Sequence, residues 1–127
     1  MIMKELDLHK GFEEYDEYDF IAVDENNNVL YFIKAWEGFV DEIFREPDLS
    51  GKGWTGFTKL YQEGILDDSY TRNNPYIVED VAEFYNDLLN YKDVSLDNEA
   101  KELYDGLLEL AKLCMLQHIF LQILYIY

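Results

Sequence analysis

The chain has 127 residues, of which 27 are Asp or Glu and only 10 are Lys or Arg, and its formal net charge is −17 at pH 7. Phosphate recognition needs clustered Lys and Arg side chains, so this charge argues against direct nucleic-acid binding. Hydrophobic residues make up 49% of the chain and aromatic residues 17%, so we expect one folded domain over residues 1–127 and no extensive disorder.

The first stretch with a clear periodicity lies between residues 29 and 46. Its apolar residues recur at spacings of three and four, which is typical of one face of a helix. These residues are Val29, Phe32, Ile33, Trp36, Val40, Ile43 and Phe44. A competing interpretation pairs residues 20–23 with residues 29–33 as a hairpin across the turn sequence DENNN. We favour the helix because the apolar stripe continues well past Ile33.

Three further helices are predicted from their capping residues. They run from Gly56 to about Glu63, from Asn74-Pro75 onward, and from Ser95 or Asp97 onward. The sequence therefore predicts a mainly α protein, an irregular bundle of four to five helices, with a small β-hairpin near residues 20–33 as the open alternative.

Residues 115–127 at the C-terminal end are apolar all round, as in a central or interface helix. This stretch is shorter than the roughly 18 apolar residues that a membrane-spanning helix needs, so we expect no membrane insertion. We expect the helix to be partly buried and its remaining face to form a weak homodimer. The first ten residues contain no apolar core of a signal peptide, and the single cysteine allows no internal disulfide, which together indicate a cytoplasmic protein.

No catalytic or metal-binding pattern emerges from the sequence. The two histidines, His9 and His118, are far apart and belong to no Cys/His ligand set. Residues 24–28 (DENNN) place oxygen ligands as a calcium loop does, but the glycine and the closing glutamate of such a loop are missing. Cys114 falls on an apolar helical face, where it should be inert, and His118 is interpreted as a packed or interface histidine. We therefore predict no enzyme activity, no metal and no cofactor.

Acidic and tyrosine side chains are interleaved in two parts of the chain, and they are its strongest functional signal. Residues 13–19 read EEYDEYD and residues 67–70 read DDSY, and the predicted exposed side of the helix after Pro75 carries Glu79, Glu83 and Asp87. Carboxylates steer a cationic partner, and tyrosines supply contact area at low entropy cost. The alternative is an ordinary solvated acidic surface with half-buried tyrosines. The predicted contact residues are Glu13, Glu14, Tyr15, Asp16, Glu17, Tyr18, Asp67, Asp68, Tyr70, Glu79 and Glu83.

This profile resembles the bacterial toxin-immunity proteins of colicins and of contact-dependent growth inhibition systems. The resemblance lies in the EEYDEYD and DDSY stretches and in the acidic helix face. The Tyr-Tyr-Pro element of colicin immunity proteins is absent, so no family site is assigned to individual residues. The resemblance implies a small cytoplasmic inhibitor that binds a basic nuclease toxin and blocks its active or substrate site.

The alternative function is that of a phage-type DNA mimic, which inhibits a nucleic-acid-binding host protein. Mimicry predicts carboxylates in two rows at the spacing of phosphates. An immunity protein predicts one patch with aromatic anchors at its centre. The high tyrosine content favours the second arrangement.

Overall fold

Strand alternation, and not helical spacing, organises the first third of the chain. The computed structural model describes residues 4–44, 56–62, 75–92 and 94–126. Strand β2 (Glu17–Val23) and strand β3 (Val29–Trp36) form an antiparallel hairpin. Every second side chain of the two strands is buried against the helices: Tyr18, Phe20 and Ala22 of β2, and Tyr31, Ile33 and Ala35 of β3.

Three more strands extend the hairpin on both sides. Strand β1 (Lys4–Leu8) runs parallel to β3, strand β5 (Phe120–Ile126) runs antiparallel to β2, and the short strand β4 (Tyr76–Ile77) runs antiparallel to β5. Within the described residues the sheet is therefore five-stranded and mixed, in the order β1-β3-β2-β5-β4. Phe20 lies opposite both Ile33 and Ile123, so the middle strand is buried between its two neighbours.

Helices cover one face of this sheet. In the described part of the chain they are α1 (Glu37–Phe44), α2 (Gly56–Gln62), α3 (Val81–Leu89) and α4 (Asn98–Gln117). The long helix α4 packs against β1, β2, β3 and β5 and also against α1 and α3. Its close approach needs Gly106, since a Cβ there would lie 2.9 Å from Cδ2 of Leu6.

Aromatic rings fill the space between the short helices and the sheet. Phe57 of α2 makes edge-to-face contacts with Tyr18 and Phe20 of β2 and with Phe44 and Phe84 of α1 and α3, at ring-centroid distances of 5.4 to 6.2 Å. Each such pair adds about 0.5–1.5 kcal/mol beyond the burial of its surface. A helix of seven residues is marginal by itself, so these ring contacts hold α2 in place.

The prediction of a mainly α bundle is wrong, because the described residues form an α/β fold. The predicted helix over residues 29–46 is β3 followed directly by α1. β3 carries apolar side chains on both faces, with Phe32 and Trp36 opposite to Ile33, so its alternation is hidden in the sequence. The buried residues of α1 then continue the apparent helical stripe. The structure shows the alternative hairpin.

The predicted helix over residues 115–127 is wrong beyond Gln117. α4 ends where His118 adopts a left-handed conformation with φ of 54°, and the N–H of Ile119 donates to the carbonyl of Cys114 at 3.2 Å. β5 follows, and it is rich in the aromatic and β-branched residues that favour strands. His118 is exposed, so it is not a packed histidine, and its place in an interface stays a prediction.

Two predicted helices are confirmed in position. α2 covers residues 56–62, and α4 begins directly after Asp97. The helix predicted from residues 74–75 begins later, because residues 76–77 join the sheet and α3 starts after Asp80. The Asp80 carboxylate accepts a hydrogen bond from the N–H of Glu83 at 3.1 Å. No helix in the described ranges is both long and apolar enough to cross a membrane.

Candidate functional site

Residues 13–16 form turns on the surface between β1 and β2. The N–H of Gly11 donates to the Glu13 carboxylate at 2.9 Å, and this bond lowers the pKa of Glu13. The carboxylate is therefore kept ionised and held against the turn. The predicted contact residues that reach the surface here are Glu13, Glu14, Tyr15 and, in part, Asp16.

Two other predicted contact residues, Glu17 and Tyr18, are buried in β2. The side chain of Tyr18 is 2% exposed, so it presents almost no area to a partner. The Glu17 carboxylate lies 3.4 Å from Nδ1 of the buried His9, whose Nε2 donates to the carbonyl oxygen of Tyr15 at 2.8 Å. His9 thereby connects the turn that carries Tyr15 to the first residue of β2.

A groove of about 360 Å³ opens where three elements meet: the turn before β2, the end of β3 and the start of α1. The N–H of Glu37 donates to the carbonyl oxygen of Asp16 at 2.9 Å and joins the first of these elements to the last. We call this surface the acidic groove, and its residues are Glu14, Tyr15, Asp16, Trp36, Glu37, Gly38 and Asp41.

The indole of Trp36 is the floor of the acidic groove. The ring of Phe12 stacks on it with 4.2 Å between centroids and 6° between planes. Gly38 lies against the six-membered part of the indole, since a Cβ there would be only 2.4–2.6 Å from three of its carbons. Tyr15 stands at the edge of the groove, 62% exposed and 6.4 Å from Trp36 between centroids. One aromatic ring is therefore fixed as a floor and another is open to a partner.

Two tyrosine hydroxyls orient the carboxylates of the acidic groove. The hydroxyl of Tyr125, at the end of β5, contacts Asp16 and lies 3.0 Å from Oε2 of Glu37. The hydroxyl of Tyr61 donates to Oδ1 of Asp41 at 3.2 Å. Burial, followed by the neighbouring carboxylates, raises the pKa of both phenols far above the ordinary value. Both hydroxyls therefore remain donors at every physiological pH.

A second, smaller cavity of about 210 Å³ contains the other acids that the sequence singled out. Glu79 and Glu83 line it together with Asp80, the residue that caps α3. Of its aromatic residues, Phe57 and Phe84 are almost fully buried and Tyr76 is half-buried. Asp87, which was expected on the exposed side of the helix, is buried as well, so that prediction is wrong.

Three predicted contact residues, Asp67, Asp68 and Tyr70, lie outside the described residues. Conversely, sequence reasoning missed Trp36, Glu37 and Asp41 as site residues. The interpretation of residues 29–46 as one amphipathic helix placed Trp36 on a core face and attached no role to the acids. Glu37 and Gly38, directly after an apolar run, were the available signal, because glycine in that place permits close packing.

The described residues offer little for covalent or metal chemistry. Cys114 is buried beneath β5, and burial raises the pKa of its thiol to about 12. No group of three or more His, Cys, Asp or Glu side chains in the described ranges is arranged to hold a metal ion. The calcium-like stretch is the hairpin turn: the Asp24 carboxylate accepts hydrogen bonds from the N–H groups of Asn26 and Asn28, both at 2.9 Å. The absence of enzyme activity stays a prediction.

The acidic groove is thus defined by geometry, exposure and charge. Comparison of the chain with protein-family models, with curated protein sequences and with solved structures found no match.

Proposed function

We propose that this chain is an inhibitor of the toxin-immunity kind, which binds a basic nuclease domain and blocks its active or substrate site. The acidic groove carries the proposal, since four carboxylates and an exposed tyrosine meet there at one concave surface. An inhibitor of a cationic enzyme needs carboxylates for steering and for charge-assisted hydrogen bonds. It also needs rigid aromatic area that resists dissociation.

Three carboxylates of the acidic groove, those of Glu14, Asp16 and Asp41, lie outside the ion pairs that the described residues form with one another. Ion pairs within the described ranges join Lys4 to Glu109 and Lys101 to Asp105. Because the whole chain carries a net charge of −17, the field at the groove has one sign and raises the rate of association with a cationic protein.

The groove is organised before any partner binds. The stack of Phe12 on Trp36 fixes the floor, and the hydroxyls of Tyr61 and Tyr125 fix the carboxylates. Ordering a flexible side chain at an interface costs about 0.5–1.5 kcal/mol, so a surface that is ordered in advance binds more tightly for the same contacts. This favours the groove over the second cavity, where no aromatic side chain with a described position is exposed.

The proposal is tested by affinity capture from the organism that encodes the chain. The wild type should retain a basic protein whose nuclease activity falls to background at equimolar inhibitor. A Glu14→Lys/Asp41→Lys variant should retain it poorly. The matched control is Glu99→Lys/Glu102→Lys, which makes the same change of charge at two exposed positions of α4 and should behave as the wild type.

Three outcomes would contradict the proposal. They are capture of no basic protein, a captured nuclease that stays fully active, and equal loss of capture in both charge-reversal variants. Capture of a nucleic-acid-binding host protein without nuclease activity would instead support the DNA-mimic alternative. The association rate should also fall several-fold between low and physiological salt, because exposed charges are screened over about 8 Å at physiological salt.

A further inference from the structure

The shape and lining of the acidic groove indicate what kind of group it accepts. Its volume of about 360 Å³ is near the lower end of the range for small-ligand pockets, which suits one inserted side chain and not a whole helix. Among the described residues that line it, the side chains charged at neutral pH are the carboxylates of Glu14, Asp16, Glu37 and Asp41. A cation compensates best for the desolvation of these carboxylates, because it adds charge attraction to its hydrogen bonds, so the groove favours a cationic occupant.

The carboxylates approach this space from two elements. Glu14 and Asp16 come from the turn before β2, whereas Glu37 and Asp41 stand four residues apart on α1 and so lie on the same side of that helix. A planar cation that enters the groove can therefore meet carboxylates of both elements. A guanidinium offers five donors in a planar fork, whereas an ammonium offers three from one point. The wider spread of acceptors therefore favours arginine over lysine.

The aromatic side chains favour the same group. The indole of Trp36 is packed against Phe12 and Gly38, so it supplies an apolar floor for the aliphatic part of an inserted side chain. Tyr15, which is 62% exposed, is the ring that remains open for stacking on a planar cation.

The carboxylates also retain capacity to accept hydrogen bonds. Asp16 and Asp41 each receive a tyrosine hydroxyl, and an ionised carboxylate has about four lone-pair sites. The tyrosines thus orient these carboxylates without filling them, and each can still accept from a guanidinium.

We infer that the acidic groove is a pocket for an arginine side chain of the basic partner, with Tyr15 stacked on the guanidinium and the carboxylates around it. The inference rests on the proposed function for the identity of the partner. Recognition of the arginine itself is a property of the groove and can be measured without that partner.

The test uses the full chain and the peptide acetyl-Gly-Arg-Gly-amide in an NMR titration of backbone amides. We expect saturable shifts concentrated at residues 14–16 and 36–41, with a dissociation constant in the millimolar range. The same peptide with citrulline, which has the shape of arginine without its charge, should cause no saturable shifts. The lysine peptide should bind several-fold more weakly.

Matched variants locate the binding. Glu14→Gln and Asp41→Asn keep the shape of the side chains and should each weaken binding about tenfold, since each removes one charged acceptor. Glu102→Gln removes an exposed carboxylate from α4 and should change nothing. An unchanged spectrum outside the groove in each variant shows that the fold is intact.

Several results would overturn the inference: shifts spread evenly over the acidic surface, equal binding of the citrulline or lysine peptide, or equal weakening by Glu102→Gln. The outcome is separable from that of the proposed function. If a toxin is captured but the arginine peptide does not bind to the groove, the arginine pocket is refuted and the proposed function is not. A groove that binds arginine together with no basic partner would refute the proposed function alone.

Discussion

Gly38 is the residue on which the acidic groove depends most directly. Ordinarily Ala in place of Gly in a helix stabilises a protein by up to about 1 kcal/mol. At Gly38 the added Cβ would lie 2.4–2.6 Å from three carbons of the Trp36 indole, and overpacking of this kind costs about 1–3 kcal/mol. The clash outweighs the helix preference, so the sign of the effect should reverse.

We predict that Gly38→Ala lowers the free energy of unfolding by about 1–2 kcal/mol, measured by urea denaturation. The variant should also lose binding of the arginine peptide, since the displaced indole enters the groove. The companion experiment is the double variant Gly38→Ala/Trp36→Leu. The smaller leucine side chain relieves the clash, so the losses of unfolding free energy from the two substitutions should be less than additive. Stabilisation by Gly38→Ala alone would contradict the packing described here.

The hairpin turn between β2 and β3 depends on Asp24. Its carboxylate accepts bonds from the N–H groups of Asn26 and Asn28 and from the side-chain amide of Asn28, and the bond from the Asn28 N–H is the largest cause of its lowered pKa. A carboxyl whose pKa is lower in the folded state stabilises the protein above its unfolded pKa of about 3.9, and loses this contribution as the pH falls through the folded pKa.

We therefore predict that Asp24→Ala destabilises the protein at pH 7 and that the difference from the wild type narrows below about pH 4. Urea denaturation at a series of pH values measures this. Glu25→Ala removes the neighbouring exposed charge and is the control, with a small effect at every pH. A difference for Asp24→Ala that is constant from pH 7 to pH 3 would show that the ionised carboxylate does not hold the turn.

Among the helices and strands, α2 and α4 could be predicted from the sequence, whereas β5 could not. Helical spacing and caps located α2 and α4, because those helices have one apolar side and a clear start. Both faces of β5 carry apolar side chains, Phe120 and Leu124 on one and Leu121 and Ile123 on the other, so neither a period of two nor one of 3.6 can be read from residues 120–126. His118 ends α4 in a conformation that usually marks glycine, and the boundary was missed for that reason.

Alternation within β5 gives a direct prediction. Ile123 is buried between the sheet and the helices, whereas Phe120 is 51% exposed. Ile123→Ala should cost about 2–5 kcal/mol of unfolding free energy, and Phe120→Ala no more than about 1 kcal/mol. Equal costs at the two positions, measured by thermal or urea denaturation, would argue against the strand.

The acidic groove could be predicted only in part. An acidic turn bearing tyrosines can be recognised from its composition, and Glu14, Tyr15 and Asp16 do reach the surface. Glu37 and Asp41 lie more than 20 residues further along, and it is the pairing of Glu17 with Trp36 across the hairpin that brings them to the same place. A helix over residues 29–46 would not have made that contact, so the error in the fold concealed half of the site.

The net charge of −17 affects the stability of the whole molecule. Carboxylates that repel one another in the folded state destabilise it, and salt screens this repulsion. We predict that the urea midpoint rises when sodium chloride increases from about 0.02 M to about 0.5 M, over which the screening length falls from roughly 20 Å to about 4 Å. Potassium chloride should give the same curve. A midpoint that falls with either salt would mean that attractive pairs dominate.

Self-association is a second property of the whole molecule. The homodimer expected through residues 115–127 stays a prediction, but much of that segment is used inside the fold, where Leu121, Ile123 and Tyr125 are buried. Leu116 and Phe120 are its large exposed apolar side chains. Any dimer should therefore be weak and should strengthen with salt, which sedimentation across the same salt series would measure.

Cys114 lies under the first residues of β5, and its thiol contacts the carbonyl oxygen of Phe120 at 3.9 Å. It is the only cysteine in the chain, and it is both inaccessible and protonated in the closed protein. A thiol reagent can react only after the corner between α4 and β5 opens. The rate at which Cys114 is labelled therefore measures how often this corner opens. A partner that binds only the closed protein makes openings rarer. The labelling rate of Cys114 therefore reports whether a partner is bound to the acidic groove, without any added tag. The thiol lies under β5, whereas the groove lies at the end of β3, and β2 separates these two strands.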